Sequence, residues 1–339
     1  MAEFEIDPDI RNAWTLPSRF YTDERFFELA KERIFAKSWQ FVGRVDEFKT
    51  LEPRTLLPGY LDEPILISKS DPGFRCLSNV CTHRGKILVE EAISANLIRC
   101  GYHGRRFSLD GKFLSMPEFD GVACFPSEAD NLTQYPVAEW RGFMFTSCEP
   151  AADLKDFTRD PDANLAAIDF DSLKLSSSTD YEVNAHWALY CENYLEGFHI
   201  PYVHKGLNEI VDYGTYKTEL FRYSSLQIGS DDNGEIVGRY LFIFPNTMLN
   251  FYPWGLSINV VEPIAPDRSR IRYITYVSDE SKTGAGAGGD LHRVELEDER
   301  VVESVQKGIR SRFYDRGRYS PTREQGTHHF HRLIAEFIG

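Results

Sequence analysis

The sequence predicts an α+β chain, with a small all-β domain ahead of a larger domain of mixed helices and strands. Three observations carry that prediction. The chain has 339 residues, which at roughly 100–200 residues per domain is room for two. Between residues 38 and 150, short β-type runs are cut by Gly, Pro and Asp. From 151 to 339, helix-like and strand-like periods mix instead.

Residues 1–37 read as a helical segment expected to pack on the larger domain. Within it, 22–36 has the period of an amphipathic helix, with Thr22 or Asp23 placed to cap it. Phe26, Phe27, Ala30, Ile34 and Phe35 fall on one face. The β-type runs that follow are 40–45, 64–68, 97–100 and 142–148, with turn pairs Pro72-Gly73 and Asp110-Gly111 between them. Residues 149–164 are polar and contain Pro, and are expected to be a domain junction. Beyond it, 185–199 and 291–312 read as helices, and 237–263 and 270–277 as strands. The tract 282–290 is too Gly-rich to hold a helix and is expected to be a mobile loop.

Composition excludes several classes. The 52 acidic against 38 basic residues give a net charge of −14, the wrong sign for a nucleic-acid binder. No run approaches the roughly 18 apolar residues of a membrane helix. The acidic start, Met1-Ala2-Glu3-Phe4-Glu5, lacks a signal-peptide pattern, and six Cys are too few for a disulfide scaffold. The expectation is a cytoplasmic protein with reduced thiols. Cys76, Cys124, Cys148 and Cys191 stand outside any matched Cys/His motif and read as buried small apolar groups.

Two constellations carry chemistry. The first is Cys81-Thr82-His83-Arg84-Gly85 and, after sixteen residues between His83 and Cys100, Cys100-Gly101-Tyr102-His103-Gly104. Unremarkable core residues rarely form two matched Cys/His pairs. A Cys2His2 zinc site suits the donor set. A Rieske [2Fe–2S] cluster, with two Cys on one iron and two His on the other, suits it as well. The single residue between Cys81 and His83 favours the cluster, because zinc pairs usually leave about two to four.

The second constellation is the segment from Cys191 to His204, with Asn193, Glu196, His199 and His204. Glu196 and His199, three apart, would share a helix face. His199 and His204, five apart, would diverge by about 140° on one continuous helix. Pro201 between them disfavours helix at Ile200 and lets the chain bend. Two His and one carboxylate with open positions make the facial set of oxygen-activating non-heme iron. The carboxylate must come from elsewhere, and the segment 295–306 concentrates acids at the start of a helix. Dipole compensation would explain several of them without a metal.

With both constellations in view, the whole chain resembles the catalytic α subunit of Rieske non-heme iron oxygenases. The family pattern Asn-x-x-Asp/Glu-x-x-His-x4-His falls on Asn193, Glu196, His199 and His204. Its Glu-Asp-x-x-Val-Val-Glu element falls on 297–303, which makes Asp298 the third iron ligand. Glu295, Glu297 and Glu299 are the alternatives in a shifted register. The resemblance implies that Cys81 and Cys100 hold the inner iron of a Rieske cluster and that His83 and His103 hold the outer one. It implies a mononuclear Fe(II) on His199, His204 and Asp298, with Asn193 and Glu196 in the catalytic machinery. It also implies a helix-grip catalytic domain, a head-to-tail homotrimer, and electrons from NAD(P)H through a flavin and iron–sulfur reductase.

Glu196 stands where most members have Asp, and this resembles the choline- and carnitine-monooxygenase branch. So does the stretch 317–331, whose His328, His329 and His331 precede an apolar C-terminal helix and read as structural. His186 also reads as packed rather than as a ligand. The branch favours a quaternary ammonium substrate, for which Tyr194, Tyr202, Phe244, Phe251, Tyr252 and Trp254 are candidate partners. An oxygenase acting on an aromatic or polycyclic substrate, and a Rieske electron carrier without oxygenase activity, are the competing functions.

Overall fold

The computed structural model describes residues 3–204, 206, 212–279, 281 and 291–339. The Gly-rich tract 282–290 lies outside the described residues. Two compact units divide the chain: Ala36–Ala151, and Met1–Phe35 together with Ala152–Gly339. No helix among the described residues is long and apolar enough to cross a membrane.

The unit Ala36–Ala151 is built of ten short strands: β1 (Gln40–Arg44), β2 (Leu51–Leu56), β3 (Glu63–Ser70), β4 (Gly73–Ser78), β5 (Ile98–Arg99), β6 (Arg106–Phe107), β7 (Phe113–Ser115), β8 (Gln134–Tyr135), β9 (Val137–Trp140) and β10 (Phe143–Thr146). They form three antiparallel sheets, ordered β1-β10-β9, β2-β3-β4-β8 and β5-β6-β7. Strand β3 shows why. Ile65 and Ile67 point into one core with Cys76 and Met144, while Leu66 points into another with Leu77, Cys81, Cys100 and Phe107. Alternate residues feed opposite faces, so both faces of β3 are apolar.

The other unit opens with α1 (Ser18–Thr22) and α2 (Glu24–Ala30), which runs into a π-turn at Lys31–Phe35. The helix expected over 22–36 is found as α2 and the π-turn that continues it, 24–35, while α1 is a separate short helix ahead of α2. Asp23 sits between the two in extended conformation, and its carboxylate accepts from the Arg25 N–H as the cap of α2. The five apolar side chains named for that face are all buried. Residues 149–164 are not a plain junction, because Leu154–Asn164 is a helix, α3, despite Pro161 within it. Leu154, Phe157, Thr158 and Pro161 make its buried face, and Phe157 stacks on Tyr223 at 4.4 Å.

Next come β11 (Lys174–Val183), α4 (Trp187–Tyr194) and α5 (Ile200–Val203). Six strands follow: β12 (Lys217–Leu220), β13 (Ser224–Ser230), β14 (Ile236–Ile243), β15 (Thr247–Tyr252), β16 (Gly255–Ala265) and β17 (Arg268–Val277). The unit closes with α6 (Leu291–Gly308) and α7 (Gln325–Ile338). The seven strands make one antiparallel sheet, ordered β11-β17-β16-β15-β14-β13-β12. The expected run 237–263 thus divides into three strands. Helix α7 begins before the three histidines and carries them, rather than following them.

Trp187 at the start of α4 is fully buried, 4.9 Å from the Phe35 ring and 5.7 Å from that of Phe330 on α7. Helix α7 approaches the end of α4 so closely that a Cβ on Gly326 would lie 2.2 Å from the Leu195 carbonyl oxygen. In an open helix Gly→Ala would gain up to about 1 kcal/mol. Here the clash dominates. Gly326→Ala is expected to destabilise this unit by about 1–3 kcal/mol, read as a lower urea midpoint at unchanged slope.

Candidate metal centres and the cavity beside them

In the β unit the two Cys/His segments form loops of the same construction. The Cys81 N–H donates to the Lys86 carbonyl at 2.8 Å, and the Gly85 N–H donates back to the Cys81 carbonyl at 2.9 Å. Cys100, Arg105 and Gly104 repeat both bonds at 2.8 and 3.1 Å. Gly85 and Gly104 occupy equivalent steps with φ of 69° and 75°, a left-handed turn that favours glycine. Both Cys are buried, His83 is half-buried and His103 is exposed. The two imidazole rings lie 4.8 Å apart.

One residue ties the two loops together. Asp130 accepts from buried Arg105 Nη2 at 2.6 Å through its carboxylate, and its carbonyl accepts from Thr82 Oγ1 at 2.9 Å. The Arg105 bond holds the Asp130 carboxyl below its usual range. Tyr102 is exposed, its ring 3.7 Å from that of His103.

In the second unit, α4 ends at Tyr194, so Glu196 and His199 do not share a helix as 185–199 predicted. Glu196 acts through its carboxylate on the turn that follows. Its Oε2 accepts from the backbone N–H groups of Phe198 and His199, and its Oε1 lies 2.6 Å from His199 Nδ1. Gly197 packs against the Tyr216 ring, where a Cβ would come within 2.8 Å. His199 is the N-cap of α5 and His204 its C-cap. Pro201 lies in the first turn of α5, where its missing N–H leaves no helical bond unmade. Ile200 is accordingly helical, and the chain turns just before His199, which is itself in helical conformation, and again at His204.

Those turns let three atoms converge. The two Nε2 atoms are 3.1 Å apart, and Asp298 Oδ1 on α6 lies 3.0 Å from that of His204 and 3.5 Å from that of His199. Such spacings are the edges of a coordination shell with bonds of about 2 Å. The other acids of α6 point elsewhere. Glu297 Oε2 is 3.0 Å from His204 Nδ1, and its Oε1 accepts from Arg293 Nε at 3.1 Å. Glu295 takes hydrogen bonds from the Tyr190 hydroxyl and from Asn259 Nδ2. Burial alone would lower the pKa of His204, but Asp298 and Glu297 outweigh it and hold it above its usual value. Each imidazole therefore has a carboxylate behind it, Glu196 for one and Glu297 for the other, and this fixes ring orientation.

A cavity of about 90 Å³ opens onto this cluster. Tyr190, Tyr194, Tyr216, Tyr240 and Tyr252 line it, with Asn193, Gln227, Asn250, Asn259 and Glu295 among its polar groups. The sheet supplies much of this wall by alternation. Tyr240 pairs with Asn250 across β14 and β15, and Asn250 with Ser257 on β16, so one polar row faces the helices. Of the aromatics expected here, Tyr194 and Tyr252 line the cavity. Trp254 stacks behind Tyr252 at 5.2 Å, Tyr202 is exposed, Phe244 packs against Phe330 and Phe337, and Phe251 packs on Phe170.

Residues 38–126 match the model of the Rieske [2Fe-2S] domain, and residues 217–339 that of the ring hydroxylating alpha subunit (catalytic domain). The chloroplastic choline monooxygenase of Arabidopsis thaliana is 30% identical over 97% of this chain and 85% of its own. The chain belongs to the Rieske oxygenase α-subunit family. The carnitine monooxygenase oxygenase subunit of Escherichia coli K12 is 31% identical over 96% of this chain and 94% of its own. A quaternary ammonium Rieske monooxygenase in complex with L-carnitine superposes with a TM-score of 0.83 at 28% identity, covering 99% of this chain and 100% of that one.

As a Rieske oxygenase, the protein uses a [2Fe–2S] cluster and a mononuclear iron. The zinc and electron-carrier readings fall with that assignment. Both donor sets suit the two groups. Burial pushes the Cys81 thiol up, so its thiolate needs a cation beside it, and Cys100 lies against it. His199, His204 and Asp298 gather two nitrogens and an oxygen within 4.8 Å of one another.

The remaining singled-out residues have other places. His186 is buried among Phe20, Tyr21 and Trp187, held neutral by burial with a pKa of about 3, and caps α4 by accepting from the Ala188 N–H. His328 Nε2 lies 2.8 Å from the Asp7 carbonyl, and His331 Nδ1 lies 2.6 Å from the Tyr319 hydroxyl. Cys76 and Cys191 are buried and Cys148 half-buried, but Cys124 is exposed, contrary to expectation.

Proposed function

We propose that this Rieske oxygenase oxidises a small quaternary ammonium compound of the choline, betaine or carnitine kind, by hydroxylation or N-demethylation. The observation that carries the reading is the five-tyrosine wall directly beside His199, His204 and Asp298. Aromatic faces attract a cation whose methyl groups cannot hydrogen-bond. Relatives named for choline and carnitine oxidation support the same substrate class.

In this reading Cys81, His83, Cys100 and His103 hold the Rieske cluster, and His199, His204 and Asp298 hold the mononuclear iron. When bound, the cluster passes electrons one at a time and the mononuclear iron activates O2. The residues around them do the rest. Glu196 and Glu297 orient the two imidazoles, Asn193 presents a polar side chain to the cavity, and the tyrosines exclude water from the cationic head. Electrons come from NAD(P)H through a separate flavin and iron–sulfur reductase. The working form is a homotrimer in which Glu196 also meets His103 of the partner subunit, joining the two centres. Glu196 suits that role because a carboxylate oxygen bonded to one imidazole keeps a lone pair for another.

The substrate class is tested by supplying the iron-loaded protein with reductase, NAD(P)H and O2. Choline, glycine betaine, carnitine and γ-butyrobetaine are offered beside aromatic acids, with products read by mass spectrometry. O2-dependent product from a quaternary ammonium compound is expected, and turnover of the aromatic acids alone would overturn the reading.

Asp298→Ala is expected to keep the Rieske spectrum while losing mononuclear iron and product, because two imidazoles alone hold Fe(II) weakly. Retained iron and activity would move the ligand to Glu295, Glu297 or Glu299. Glu196→Gln is expected to keep both metals, while the prereduced cluster is reoxidised far more slowly by O2 with substrate present. Single-turnover stopped-flow on samples of known iron content decides this; an unchanged rate refutes the bridge.

A further inference from the structure

The cavity contains one acid that neither metal centre uses. Glu295 stands one turn before Asp298 on α6 and lines the cavity with the tyrosines. Its carboxylate receives the Tyr190 hydroxyl and Asn259 Nδ2, the latter at 3.0 Å. Asn259 is itself fixed, because its Oδ1 accepts from Asn250 Nδ2 at 3.2 Å, and this turns the amide N–H₂ toward Glu295. Both donors are neutral. Among the described residues no Lys or Arg lines this cavity. Burial raises the Glu295 carboxyl to about 7, against the two hydrogen bonds that lower it.

An acid in such a place is costly unless a cation completes it. Glu295 as a whole is half-buried, and its place is in the cavity wall. Tyrosine faces take up the methyl groups of a quaternary ammonium, but they carry no net charge. A formal negative charge is what separates a cation from an uncharged molecule of the same shape.

We propose that Glu295 is the charge partner of the substrate's cationic head, and that it makes the cavity select a cation over its neutral isostere. This inference rests on the quaternary ammonium reading above. It assigns to Glu295 a binding role distinct from that of Asp298, three residues away on the same helix.

The test is isothermal titration calorimetry of the iron-loaded protein with choline and with 3,3-dimethylbutan-1-ol, which replaces the ammonium nitrogen by carbon. Wild type is expected to prefer choline. Glu295→Gln is expected to lose about tenfold or more in affinity for choline while its affinity for the alcohol stays unchanged, with both metal contents retained. A Glu295→Gln protein that keeps the wild-type preference overturns the charge-partner role and leaves the substrate class standing. Wild type with no preference for choline overturns the substrate reading and this inference with it. Should Glu295→Gln not retain iron, Glu295→Asp decides. Withdrawing the carboxylate by one methylene should shrink the preference for choline, and an unchanged preference overturns the proposal.

Discussion

Two imidazoles five residues apart have to meet one carboxylate 94 residues further along the chain, and the larger unit is arranged around that meeting. A continuous helix would hold His199 and His204 apart by about 140°. The four-residue helix between them starts from His199, in helical conformation, and ends at His204, where the backbone leaves helical geometry. Glu196 makes the first turn by capturing two backbone N–H groups. Gly197 lets that turn lie against Tyr216. The position of α6, which carries Asp298, then follows from what holds it to α4. Gln306 accepts from the His186 N–H at 2.9 Å, and Glu303 accepts from Asn184.

The same helix sorts its acids by rotation. Glu295 and Asp298, three apart, face the cavity, whereas Glu297 reaches the far side of His204 and Glu303 reaches Asn184. Four carboxylates therefore act as four different partners within little more than two turns of α6. Helix-dipole compensation is too coarse to account for contacts so specific.

The two-domain order and the β character of the first domain were legible from punctuation by Gly, Pro and Asp. The Cys and His candidates stood out by residue type and spacing, whereas Asp298 came from the family resemblance alone, with Glu295, Glu297 and Glu299 as its alternatives. The cap at Asp23 was legible too, but the end of α4 was not, because the turn after it depends on the Glu196 side chain reaching back to the backbone. Strand β11 was hidden by its polar, exposed sequence, which offers no alternation to read. Tyr194 and Tyr252 of the tyrosine wall were expected, while Tyr190, Tyr216 and Tyr240 were hidden for a related reason. Tyr240, Asn250 and Ser257 form a polar row on a sheet, the pattern of a solvent face, yet Tyr240 and Asn250 line a cavity. Glu297 was visible only as an alternative ligand, since its place behind His204 comes from helix rotation.

The clasp in the β unit bears on the order in which that unit can be completed. Cys81, His83, Cys100 and His103 all precede Asp130, whose carbonyl and carboxylate join the two loops through Thr82 and Arg105. A chain emerging from the ribosome presents all four side chains before the residue that sets the loops against each other. Until Asp130 arrives, the loops lack this common anchor. The geometry of the ligand loops is thus completed by a residue that follows both of them in the chain.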